Sequence, residues 1–166
     1  MKEISTYHLV NRVDNAFLSK GIGQVITIEN QEEIKNSISE TKFPKLTTEA
    51  TKDNDSVVGI DESRFMNDKF YEKYWIKVAY GVTLVLACVN MEEENFLISA
   101  IEINNDYKYT SYKCLKEILV KGIEDYAYYD EGFMSVVVYP FDTEDRDFWK
   151  EMGYTETDDG KMYKNF

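Results

Sequence analysis

Few residues of this chain have the type and placement to do chemistry. Glu102 is a carboxylate inside the otherwise apolar stretch 96–103. Removing water from such a group favours its protonated form, which lets a carboxylate accept a substrate proton near neutral pH. Its alternation with Ile101 and Ile103 fits an outward-facing, solvated strand residue equally well. Lys108, Lys113 and Lys116 gather positive charge at the start of a helix in an otherwise acidic chain. That pattern suits an anion, or simply a solvated helical face. His8 is the single histidine and has no partner pattern, which argues against a histidine-based triad or a zinc site. Cys88 and Cys114 lack CxxC spacing and read as buried free thiols. Gly21-Ile22-Gly23 precedes a strand instead of following one, so it is not a dinucleotide-binding loop.

The elements that must position these groups follow from apolar spacing. Ile4, Tyr7, Val10, Val13 and Phe17 recur at three and four, predicting a helix that stops at Gly21. Residues 24–29 are β-branched and read as a short strand, followed by a helix over 30–39 and a polar connection over 41–55. Ser63 caps a helix containing Phe65, Met66, Phe70 and Tyr74. Residues 75–80 and 82–89 then read as two strands, or as one strand bent at Gly81, leading by an acidic turn into the strand 96–103. A helix over 111–128, a strand over 133–139, a helix over 144–152, a turn at Gly153 and a closing strand near 161–163 complete the chain. Strand, helix and strand in that order imply a parallel pair joined by a crossover.

With 166 residues, 43% of them hydrophobic and 14% aromatic, one domain with a sizeable core is expected over 1–166. The apolar run 78–89 is interrupted by Gly81 and Thr83 and is too short to cross a bilayer as a helix, and residues 1–12 lack a secretory pattern. The expectation is a cytoplasmic protein without a membrane partner. A net charge of -12 repels phosphate backbones and disfavours nucleic acid; it suits cationic partners, or simply keeps the protein soluble.

The segment Phe148-Trp149-Lys150-Glu151-Met152-Gly153-Tyr154 is similar to the "FYEKLGF" segment of the GNAT N-acetyltransferases. It runs on into Asp158-Asp159-Gly160-Lys161-Met162-Tyr163-Lys164, which is similar to that family's closing hairpin, so the resemblance spans about residues 75–166. It implies an α/β (α+β) fold whose mixed, mainly antiparallel sheet has a parallel pair in the middle and is flanked by helices. The implied activity is transfer of an acetyl group from acetyl-CoA, as co-substrate, to a cationic amine, either a small molecule or a protein lysine or N-terminus. A catalytically inactive, acidic binding or inhibitory protein of the same fold is the alternative. A homodimer that completes the sheet stays open.

By the same resemblance, Ile103 ends a strand that splays from its neighbour to receive the pantetheine arm, and its backbone N–H polarises the thioester carbonyl. Lys108-Tyr109-Thr110-Ser111-Tyr112-Lys113 falls where the family carries (Arg/Gln)-x-x-Gly-x-(Gly/Ala), a loop whose N–H groups cradle a diphosphate. Ser111 and Lys113 occupy both small positions, so the lysines would replace part of the lost amide contact; an ordinary Ser111 helix cap with solvated lysines is the competing reading. Asp142 stands where an asparagine often contacts pantetheine, and Trp149 where a tyrosine commonly acts as the acid. Glu102 is the candidate base, and Tyr139 and Tyr154 are the candidate acids in place of Trp149.

Overall fold

The computed structural model describes residues 5–21, 26–29, 73–78, 84–90, 95–107, 114–140 and 142–166. The helices expected over 30–39 and after Ser63, the loop 41–55 and the lysine-bearing segment 108–113 lie outside these residues.

Ser5 opens α1 (Thr6–Leu18) by accepting the His8 N–H on its hydroxyl. Leu9, Val13 and Phe17 are fully buried and Ala16 packs beside them. The apolar stripe is therefore rotated from the expected one. Tyr7, two residues before Leu9, falls about 200° around the helix and is 74% exposed.

Seven strands form one sheet: β1 (Ile26–Glu29), β2 (Lys73–Val78), β3 (Leu84–Asn90), β4 (Asn95–Ile103), β5 (Ser135–Val138), β6 (Thr155–Glu156) and β7 (Met162–Asn165), in the order β1-β2-β3-β4-β5-β7-β6. All neighbours are antiparallel except β4 and β5, which are parallel. The architecture is thus mixed α/β, with the parallel pair inside an otherwise antiparallel sheet. The stretch 75–89 forms two antiparallel strands, with Trp75 opposite Ala87.

Between β4 and β5 runs α2 (Leu115–Asp125), which continues into a π-helical turn (Tyr126–Asp130); α3 (Thr143–Glu151) lies between β5 and β6. A single apolar cluster joins Leu9, Val13 and Phe17 of α1, Leu115, Leu119 and Ile123 of α2, and Trp149 of α3 to the sheet through Phe96, Ile98, Val136, Val138 and Met162. All three described helices therefore cover the same sheet face.

Two contacts lock α1 to α2. Gly122 lies so close that a Cβ built on it would stand 2.7 Å from Val13 Cα. At the far end the buried Tyr126 hydroxyl accepts the Ser5 N–H at 2.9 Å and donates to Glu131 Oε1 at 2.6 Å. Outside them Arg12 bonds Asp130 through Nε and Nη2, and the carboxylate holds the guanidinium above its ordinary value.

Candidate functional site

Strand β4 changes its facing half-way along. Phe96 and Ile98 point into the helix-covered core, and so do Ile101 and Ile103, although the alternation of a regular strand would send these two pairs to opposite faces. The register explains the switch. Ile98 pairs with Cys88 and Ala100 with the next residue, Ala87, leaving Ser99 as an extra residue in a β-bulge. One consequence is that Glu102, paired with Val85, falls on the face opposite the helices. Glu102 is buried, 7% exposed, so the solvated-strand alternative does not describe it.

The parallel ladder stops at the same level. Asn95 to Ile98 pair with Ser135 to Val138, and there the pairing ends, while β4 continues to Ile103. Beyond Ile98 no ladder pairing joins β4 to the residues after β5. Tyr139, half-buried, is the first residue past Val138. Glu102 and Ile103 lie four and five residues further along β4 than Ile98. An opening beyond the carboxyl ends of parallel strands is the usual place for a ligand in α/β sheets.

The helix starts converge near this end through a different set of contacts. Lys116, in the first turn of α2, pairs with Asp145 Oδ1 at 2.7 Å in the first turn of α3, and its ammonium lies 4.1 Å from the Phe148 ring centroid. Asp145, 4% exposed, and an aromatic face hold Lys116 in place, while the other two lysines of the expected cluster, Lys108 and Lys113, lie outside the described residues. Asp142 caps α3, its Oδ1 accepting the Asp145 N–H at 2.9 Å.

Trp149 and Tyr154 have moved inward. Trp149 is 2% exposed and its ring packs edge-on against Tyr154 at 4.8 Å. The Tyr154 hydroxyl donates to Glu124 Oε2 at 2.9 Å, and Lys164 Nζ pairs with the same oxygen at 3.1 Å. Burial, followed by the Glu124 charge and the hydrogen bond to it, pushes the Tyr154 phenol far above its ordinary range. The Tyr154 hydroxyl, a candidate acid in the sequence, is thus engaged in the core by Glu124. Glu102 and Ile103 thus lie on β4 beyond the parallel ladder and Tyr139 directly after β5, while Asp142 caps α3 and Trp149 and Tyr154 pack in the core.

No family model matches this chain, and no curated protein matches it. Among solved structures, the archaeal Methanocaldococcus infernus Elp3 with N-terminus deletion (1-46) is similar at a TM-score of 0.41 and 11% identity. The match covers 65% of this chain and 34% of that one, so the chain spans about a third of its length. A likeness that loose decides nothing about fold or chemistry.

Sequence reasoning missed Glu124, a carboxylate 3% exposed. Its signal was present: Glu124 stands four residues after Val120 and three before Ala127, both fully buried, and so lies on the apolar stripe of α2. The Ser99 bulge also had a signal, since Phe96 and Ile98 are even-numbered while the equally apolar Ile101 and Ile103 are odd-numbered.

Proposed function

We propose that this chain is an acetyl-CoA-dependent N-acyltransferase that acts on a cationic amine. The observation that carries the reading is the end of the β4–β5 ladder at Ile98 and Val138 while β4 runs on to Ile103, beside a strand bulge and a buried carboxylate. A pantetheine arm is a narrow, amide-bearing chain; laid between two parted strands, it can take their backbone hydrogen bonds. From Ile103 the chain leads directly to Lys108, Thr110, Ser111 and Lys113, where the resemblance to the GNAT family puts the diphosphate, with Tyr109 and Tyr112 between them.

In this reading the bound ammonium first gives one proton to solvent, and its uncharged nitrogen attacks the thioester carbonyl carbon while the Ile103 N–H stabilises the developing oxyanion. Glu102, directly or through water, takes the proton from nitrogen. The C–S bond breaks, and the departing thiolate takes a proton from Tyr139. An acidic chain attracts a cationic acceptor to this site. Thermal-shift titration with acetyl-CoA tests the reading, because a ligand bound only by the folded state raises the melting temperature with concentration. No shift at millimolar acetyl-CoA overturns it. If a shift appears, Lys113→Glu should remove it.

A binding module of the same fold without turnover is the second reading. It is favoured by the burial of Trp149 and the commitment of Tyr154 to Glu124, which leave fewer groups able to protonate a leaving thiolate. Binding of acetyl-CoA without release of free thiol in the presence of amines would establish it.

A further inference from the structure

Alongside the packed faces of α1 and α2 runs an open groove of about 320 Å³. Its floor is apolar, formed by Ala16 and Ile118. Its rim carries Arg12, Lys20 and Lys121, with Asp125 beside Lys121 and Asp130 just outside on Arg12, an excess of one positive charge in a chain whose net charge is -12. Lys121 reaches Asp125 only at 3.4 Å, as an exposed i,i+4 pair of the kind worth little in water. Arg12 meets Asp130 through Nε and Nη2, and a guanidinium has five N–H donors in all.

We infer that this groove is a binding site for a small organic anion with an apolar body, such as a short-chain carboxylate. Apolar floor and cationic rim together define the class. The floor gains from burying hydrocarbon, and the rim gains from a negative group that the rest of the surface repels. The volume sets the size, because it lies at the small end of ligand pockets. No residue of this groove lies on β4 or β5, so the inference stands apart from the proposed acyl transfer.

Titration of the full chain with hexanoate, followed by amide NMR, tests it. Saturable shifts should appear at Asn15, Ser19 and Lys121, and hexylamine and hexanol should not reproduce them. The double variant Lys20→Glu/Lys121→Glu, altered at two exposed positions, should bind hexanoate at least about tenfold more weakly. Asn15→Trp, which fills the groove without changing charge, should abolish the shifts. The inference is overturned if hexanoate gives no saturable shift up to about 20 mM, weaker than any useful site. Equal binding of hexanol, or hexanoate affinity unchanged in either variant, overturns it as well.

Discussion

Tyr154 donates its hydroxyl hydrogen to Glu124 at 2.9 Å in the core between α2 and the turn after α3, and Lys164 pairs with the same carboxylate from β7. The three side chains tie a helix, a turn and an outer strand around one buried charge. Gly153, at φ 94, leaves room beside them, its missing Cβ lying 3.7 Å from Lys164 Cε.

Removing the cation should cost more than removing the phenol. Lys164→Met leaves Glu124 buried and unneutralised and should destabilise by about 3 kcal/mol, the lower end for breaking such a pair because Lys164 is partly exposed. Tyr154→Phe removes one hydrogen bond to a charged group, for about 1–3 kcal/mol. Urea unfolding of both variants checks the order.

The phenol also carries a pH signature. Its folded value is raised above the ordinary 10.0, so it contributes stability that is fully present below pH 10 and is lost as pH rises further. The stability difference between the parent chain and Tyr154→Phe should therefore narrow above pH 10. A difference that widens there would contradict the buried, protonated phenol.

Gly122 should resist enlargement. Alanine in a helix interior normally gains about 1 kcal/mol over glycine. Here its Cβ would meet Val13 Cα at 2.7 Å, backbone that cannot swing aside. Gly122→Ala should therefore show a net loss of about 1–3 kcal/mol from overpacking, read from the urea midpoint.

Lys116 separates a structural cation from a phosphate ligand. Because it is bound to Asp145, Lys116→Ala should lower stability by about 2–3 kcal/mol through the charge left buried, while acetyl-CoA affinity in the thermal-shift assay changes little. Lys113→Glu should do the reverse. Loss of acetyl-CoA affinity in Lys116→Ala at unchanged stability would return this lysine to the cofactor.

Glu102→Gln tests the chemistry. If the buried carboxylate takes the amine proton, kcat/KM for thiol release should fall by about 10²–10⁴, with acetyl-CoA binding retained. Unchanged turnover would make Glu102 a structural residue.

Apolar spacing and turn residues determined a good deal by themselves. They specified the first helix, the β4–α2–β5 order with its parallel pair, and the short helix and closing strand beyond it, because each burial pattern is local and repeats with the period of its element. Facing and pairing are not local, and only the tertiary structure decided them. The Ser99 bulge is set by the partner strand and carries Glu102 to the face opposite the helices. The α1 stripe turns to Leu9, Val13 and Phe17 because it must meet Gly122. Trp149 and Tyr154, read from the sequence as site residues, pack together in the core, where Tyr154 meets a carboxylate thirty residues earlier that no run of neighbouring residues could place beside it.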